Sequence, residues 1–405
     1  MLTSPWVRGP VGIDAGPRLT RTSLVSVLVM VPTMAAGTRL MDLVTLLDGD
    51  HRVQVVFTVP HTGETWHGLD DYVRSRGGVV LPWQQVVQHR WDLVLSASHR
   101  HIEQVHGNLL LLPHGAGSLM SRRFSRKAGG AIRETTGLDR ELLTYRGRVM
   151  PAALCLTHDR EVDALRESCP EALAAAVVAG DICLDRIAGS VPLRAQYRRA
   201  LGIEDGQRLV TISSTWTPES TFGSHPELYL RLVDELGHGC TRVAAVLHPH
   251  IWAVHGAWQV RAWLAPALRH GLIIIPPSEG WQATLIASDQ VVGDHGSTTL
   301  YAAALGIPVH LAAYPDRNVR HESPADHLAG SVSRLDHRRP LVPQLRNAPR
   351  PAPDFVDRIS SRVGHAARIF RTTMYTLLEL SEPSWPAALP AVSLPDPITR
   401  DGNLP

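Results

Sequence analysis

Lysine is almost missing from this 405-residue chain: Lys127 is the single one, and the rest of the 40 basic side chains are arginines. A Gly-Lys-Ser/Thr phosphate loop is thereby excluded, and a Schiff-base lysine is argued against. Cysteine is scarce too. The four thiols, Cys155, Cys169, Cys183 and Cys240, form no C-x-x-C pair and no zinc-like spacing, so they read as buried thiols in a reducing compartment, not as a disulfide framework. No run approaches the ~20 apolar residues of a membrane span. A formal net charge of only +2, without interleaved basic and aromatic residues, speaks against a nucleic-acid footprint.

What is present describes a globular protein, with 44% hydrophobic and 19% charged residues over a length sufficient for two domains. Arg18 and Arg21 ahead of Leu24-Val25-Ser26-Val27-Leu28-Val29-Met30-Val31 imitate a signal peptide. The run is short, β-branched and closed by Pro32, so it reads as a buried first strand. The expected location is the cytoplasm.

Residues 1–22, rich in Gly, Pro and Arg, read as a flexible extension. Apolar runs then alternate with amphipathic segments. Residues 24–31, 53–59, 79–81, 93–96, 109–112, 153–156 and 176–179 read as strands, and 39–47, 69–76, 84–88 and 160 toward 176 as helices. The pattern restarts after a helix at 193–201, with strands at 209–213, 243–247, 272–275, 291–292 and 309–312 between helices at 225–236, 258–269 and 281–287. Continuous Val/Leu strands spaced by helices predict an α/β protein built on parallel sheets. Two such halves, 23–190 and 191–345, predict a cleft lined by the carboxyl ends of strands. Residues 335–354 read as a linker, 353–380 as a long amphipathic helix returning to the first domain, and 381–405 as a loose tail.

The stretch Gly293-Asp294-His295-Gly296-Ser297-Thr298-Thr299 follows an apolar strand and opens a helix that stops at Gly306-Ile307-Pro308. A glycine-containing turn entering a helix aims unpaired N–H groups and the positive dipole end at one point, which suits a phosphate. A plain helix start capped by Ser297 accounts for the same residues. Leu247-His248-Pro249-His250 ends another strand and offers an imidazole N–H to an anion. His248 with His250, and His99 with His101, are spaced two apart and could be read as metal ligands, with chelation the weaker reading for both pairs. Ser214, Thr215 and Trp216 offer hydroxyls and a ring, with Trp216 as core the alternative. Glu279, before the helix at 281, is a base or ribose-contact candidate. In the first half, His114 follows a buried strand within Leu112-Pro113-His114-Gly115-Ala116-Gly117, where imidazole chemistry suits proton removal from a hydroxyl. Arg122, Arg123, Arg126 and Lys127 form a basic run suited to an anionic acceptor or a membrane surface.

The order of these motifs resembles the CDP-glycerol glycerophosphotransferases, the teichoic acid polymerase family of the GT-B fold. His114-Gly115 looks like that family's W-H-G-T, Ser214-Thr215-Trp216 like its P-T-W, Leu247-His248-Pro249 like its L-H-P, and Gly293 to Ser297 like its T-D-Y-S-S. Gly180 and Asp185 match the ends of its G-x-P-R-x-D element, whereas Ile182 and Cys183 stand for its Pro and Arg, and Thr217 for the Arg after P-T-W.

The resemblance implies two Rossmann-like domains facing each other across a cleft, an N-terminal acceptor domain and a C-terminal donor domain. It implies His114 as general base, with His248, Ser297 and Thr298 holding the donor diphosphate; Gly296 is expected beside them, and Ser214, Thr215, Asp294 and Glu279 are candidates for the nucleotide. The expected partners are a nucleotide-diphosphate donor and a hydroxyl acceptor, lipid-linked or polymeric, with peripheral contact at the inner face of the membrane an option. No metal or cofactor is called for. A nucleotide-sugar glycosyltransferase or epimerase, and a catalytically silent nucleotide-binding scaffold, are the rival readings.

Overall fold

The computed structural model describes residues 6–11, 19–60, 68–117, 123–124, 133–134, 137–237, 239–316, 319–346 and 348–398. These form two compact units. One holds the described residues before 118 with Gly137–Cys183 and Ser361–Pro390, and the other holds residues 123–124 and 133–134, Leu184–Ser360 and the described residues from Ala391.

The first unit is a six-stranded parallel sheet. Its elements are β1 (Val25–Met30), α1 (Met34–Val44), β2 (Val53–Thr58), β3 (Arg90–Ser96), β4 (His106–Leu111), β5 (Ala153–Leu156), α2 (Arg160–Ser168) and β6 (Ala176–Val178). The strand order is β6-β5-β4-β3-β1-β2. Alternate residues of β1 explain why it is apolar throughout. Val27 and Val29 join the core that α1 covers with Leu40 and Leu43, while Leu28 and Met30 join the opposite core with Leu111 and Leu156. Helix α1 begins where the Thr33 hydroxyl accepts the Ala36 N–H at 3.2 Å.

Two expectations shift here. Residues 79–81 make only an isolated bridge, Val80 with Phe57, and Pro82, which has no N–H, closes the run. The helix expected from 160 toward 176 ends at Ser168 and gives way to a 3₁₀ turn over Pro170–Ala175, since Pro170 has no N–H to continue it.

Helix α3 (Ile182–Ser190) carries the chain from one unit into the other, and α4 (Arg194–Ala200) follows. The second unit comprises β7 (Arg208–Ser214), α5 (Leu228–Leu236), β8 (Thr241–Leu247), α6 (Pro249–His255), α7 (Ala257–Arg269), β9 (Ile273–Ile275), α8 (Trp281–Ala287), β10 (Gln290–Gly293), α9 (Ser297–Ala304), β11 (Val309–Leu311) and β12 (Ser333–Arg334). All six strands are parallel, in the order β9-β8-β7-β10-β11-β12. Val210, Ile212, Val243 and Ala245 pack beneath Leu228, Leu232 and Leu264 in the core of one face.

Helix α10 (Ala366–Leu377) packs Phe370, Met374 and Tyr375 into the first unit's core. The single helix expected over 353–380 is therefore shorter. Pro353–Arg358 is a separate 3₁₀ turn, and Gly364, at φ +76°, lies between the two. Residues expected as linker include a helix, Leu341–Arg346, with Leu341 and Leu345 buried. The stretch 381–398, expected to be loose, is held by backbone contacts that its prolines permit. The Trp385 carbonyl accepts from Arg371 at 2.7 Å, Val392 is buried, and Ile398 bridges Ile274. Near the other end, Val7 exchanges two hydrogen bonds with the Gln85 side chain, at 3.1 and 3.0 Å. Among the described residues, no helix is long and apolar enough to cross a membrane.

Candidate functional site

The second sheet reverses its winding between β7 and β10, the position where open α/β sheets leave a crevice at the carboxyl ends of their strands. The motifs read from sequence end these two strands. Asp294, only 1% exposed, ties them together. Its Oδ2 accepts the Thr215 N–H at 2.8 Å, the Thr215 hydroxyl at 2.9 Å and the Thr221 N–H at 3.0 Å. Its Oδ1 accepts the Gly296 N–H at 3.0 Å. Four donors compensate the desolvated carboxylate, so Asp294 shapes the loops from within.

Ser214 is likewise engaged internally, its hydroxyl donating to the Thr215 carbonyl at 2.7 Å and accepting the Phe222 N–H at 2.8 Å. The glycines are required by close approach. A Cβ on Gly296 would stand 2.5 Å from the Thr215 methyl, and one on Gly293 would stand 2.5 Å from the Ser213 hydroxyl and run into that of Thr299.

This packing sets the start of α9. Its N-cap is Gly296, which has no side chain to cap with, so Ser297 occupies the first helical position and is not the cap. Ser297 and Thr298 are half-buried. The helix thus presents a first turn with no side-chain cap hydrogen bond and no acidic residue of its own, while the buried Asp294 carboxylate takes the N–H of its N-cap, Gly296. On the neighbouring strand, His248 caps α6, its Nδ1 accepting the His250 N–H at 3.1 Å. That bond places the ring proton of the neutral form on Nε2, which makes His248 a donor suited to an anion. Trp216 is 46% exposed, which removes the core alternative for it. Its ring stands 4.4 Å from that of His250, and it borders a largely apolar cavity of about 600 Å³ with Phe222, Tyr229 and Trp263. Glu279 is half-buried in the loop between β9 and α8.

In the first unit, His114 lies past the carboxyl end of β4 and reaches solvent. Its Nδ1 lies 3.1 Å from the Ala97 carbonyl. The Nδ1–H donates there, leaving the Nε2 lone pair to accept a proton. Desolvation by the surrounding protein lowers the His114 pKa below the ordinary imidazole value; the Ala97 carbonyl opposes the shift and the Arg39 charge adds to it. Arg39 and Asp181 form a buried ion pair at 2.7 Å, and Arg39 also reaches the Gly115 carbonyl at 3.3 Å. Reasoning from sequence missed both residues. An arginine in the apolar stripe of α1 was the available signal, since a charge there needs a buried partner.

The structure thus brings Ser214, Thr215, His248, Asp294, Gly296, Ser297 and Thr298 to one edge of the second sheet, while His114 stands on the first unit. Arg122, Arg126 and Lys127 lie outside the described residues. Arg123 belongs to a two-residue strand paired with Arg133–Glu134.

No protein-family model matches the chain. No curated protein matches it either. Solved structures do. A variant of the wall teichoic acid polymerase TagF aligns with a TM-score of 0.59 at 12% identity, covering 88% of this chain and 90% of that one. The S. aureus MnaA–UDP structure aligns at 0.54 and 11% identity, covering 91% and 100%. The UDP-GlcNAc 2-epimerase from Neisseria meningitidis bound to UDP-GlcNAc aligns at 0.50 and 13% identity, covering 88% and 99%. At these identities the likeness establishes the fold, an α/β protein of the GT-B class with two Rossmann-like units. The teichoic acid polymerases, which the motif order resembles, share it.

Proposed function

We propose that this chain is a transferase that takes a nucleotide-diphosphate-activated donor, and that the donor is a CDP-polyol such as CDP-glycerol. The observation carrying this reading is the α9 terminus. A helix start without a side-chain cap hydrogen bond lies at the winding reversal of the second sheet, and His248, with its Nε2–H, ends another strand of that sheet. In this reading the second unit is the donor domain and the first the acceptor domain. Thr215, with its ring neighbour Trp216, and Glu279 lie along the nucleotide, and Ser214 and Asp294 position those groups from behind. The basic run at Arg122, Arg123, Arg126 and Lys127 meets the acceptor or a membrane surface.

In the proposed step His114 Nε2 removes the proton from the acceptor hydroxyl, and the resulting oxygen bonds to the polyol-linked phosphorus. The bond from that phosphorus to the bridging oxygen breaks, and CMP leaves with the electron pair. The N–H groups of α9 and the His248 imidazole meet the developing negative charge. The test is CMP release from CDP-glycerol by purified protein supplied with a polyol-phosphate acceptor. His114→Ala should lower kcat by about 10²–10⁴-fold, and equal turnover in both proteins would refute the assigned base.

A nucleotide-sugar transferase or epimerase is the second reading, favoured by the likeness to UDP-GlcNAc 2-epimerase and by Cys183 and Thr217 standing where the resembled family has arginine. Melting shifts with CDP-glycerol against UDP- and GDP-sugars separate the two, since a ligand bound only by the native state raises the midpoint. Binding without turnover of any donor would leave the silent scaffold.

A further inference from the structure

Away from the α9 terminus, one donor atom from each of His225, Glu227 and His337 lies within 4.8 Å of the other two. His225 and Glu227 stand at the corner leading into α5, and His337 lies in the loop after β12. The His225 Nδ1 is 3.5 Å from a Glu227 carboxylate oxygen. Metal bonds of about 2.0–2.2 Å at tetrahedral angles separate donor atoms by about 3.3–3.6 Å, and because imidazole lone pairs lie in the ring plane, the half-buried His225 ring turns out of its stack on His337 to share an ion with it.

The histidine at the back of the cluster is built as a ligand is built. His337 Nε2 lies 2.6 Å from the Ala312 carbonyl, which fixes the proton on Nε2 and orients the ring. Its Nδ1 is then an unprotonated lone pair, buried and without any hydrogen-bond partner, an arrangement that costs stability unless something accepts that lone pair. The two imidazoles stack with centroids 3.5 Å apart. Two nearby cations have their own acidic partners, Arg231 with Glu235 at 3.0 Å and Arg339 with Asp336 at 3.2 Å.

We propose that His225, Glu227 and His337 form a binding site for a divalent cation of the zinc class. Two imidazoles and one carboxylate leave the fourth tetrahedral position to water. Bound there, the ion joins the corner before α5 to the loop after β12. Thr221, the residue whose N–H meets Asp294, lies just before that corner, so the ion stiffens a support of the donor edge.

The test uses the full chain, stripped with a chelator and titrated with Zn²⁺ against a chromophoric chelator. One equivalent should bind, and Co²⁺ in its place should give the intense visible bands of a tetrahedral centre. His337→Ala and His225→Ala should each weaken binding by no less than the roughly 10–100-fold that loss of an outer-sphere partner costs. The exposed-site control His321→Ala should not change it. Glu227→Gln, on an exposed side chain, serves as the variant that keeps the fold intact, checked by its metal-free melting midpoint. Failure of the parent chain to bind an equivalent, or equal binding by folded His225→Ala and Glu227→Gln proteins, overturns the site. Both results are independent of whether any donor is turned over.

Discussion

Thr215 gives both its backbone N–H and its hydroxyl to one carboxylate oxygen of Asp294, at 2.8 and 2.9 Å. The ends of β7 and β10 are joined at the sheet's winding reversal by this double bond. The same carboxylate also accepts the Thr221 and Gly296 N–H groups, so one buried charge holds the two loops that follow β7 and β10.

Replacing it should therefore cost stability as well as binding. Asp294→Ala leaves four donors without their acceptor in a dry site, and the expected loss is about 2–4 kcal/mol. Urea unfolding measures it, and a loss below about 0.5 kcal/mol, the scatter of ordinary surface changes, would contradict the assigned role.

The two glycines of the same turn give a steric prediction. Gly293→Ala forces a methyl group against Ser213 and Thr299 and should destabilise by about 1–3 kcal/mol. Gly330→Ala, in the helix Pro324–Ser331 with nothing within 4 Å of the added carbon, should be neutral or slightly stabilising. Matched melting midpoints for the two variants would rule out the close packing as the reason for glycine at 293.

Arg39 and Asp181 predict a rescue. Arg39→Met strands a buried carboxylate and should cost about 3–5 kcal/mol, while adding Asp181→Leu should restore most of it. The double variant still lacks the guanidinium that holds the Gly115 carbonyl. Turnover should stay low although stability returns, and full recovery of both would show that the pair is structural only.

The direction of the His114 shift predicts a pH profile. The base acts when neutral, and its pKa is lowered by desolvation first and by Arg39 in addition. The acid limb of kcat/KM should therefore lie below about 6.5, the ordinary imidazole value. The same shift contributes to stability with a definite sign. The unfolded chain binds the His114 proton more readily, so the contribution is present above the unfolded pKa and is lost as pH falls toward the folded one. An acid limb above 6.5 that persists in His114→Ala would assign the titration elsewhere.

Removal of the chain beyond Pro390 should weaken the second unit. It deletes the Val392 carbonyl that accepts from the Tyr197 hydroxyl at 2.8 Å, the Val392 N–H that donates to Ser190 at 3.0 Å, and the bridge from Ile398 to Ile274. With one buried valine lost and the buried Tyr197 hydroxyl left without its acceptor, while Ser190 keeps its bond to the Arg186 carbonyl, about 2–4 kcal/mol is expected, read as an earlier unfolding transition. An unchanged transition would mean that the segment rests on the surface without supporting it.

Much of this architecture was legible in residue patterns. Leu24 to Val31 reads as a strand because a sheet covered on both faces tolerates apolar residues at every position, and that demand is local. Strand length was harder, as 79–81 shows: it extends only as far as a neighbour accepts its hydrogen bonds. The stretch 381–398 was misread for a related reason. Prolines and small residues say that a segment forms no regular element, and they do not say whether another part of the chain receives it.

The candidate site divides along the same line. The residues alone determined that a strand ends in a glycine turn at Gly293 and opens a helix near Ser297, and that His114 and His248 end strands, since turn chemistry and periodicity act over a few neighbouring positions. Only the tertiary structure decided that Gly296 and not Ser297 is the cap, that Asp294 is spent inside the loops, and that Arg39 meets Asp181, 142 positions along the chain. Pairings across such separations depend on which strands lie side by side, and hydrogen-bond partners are chosen by distance in space.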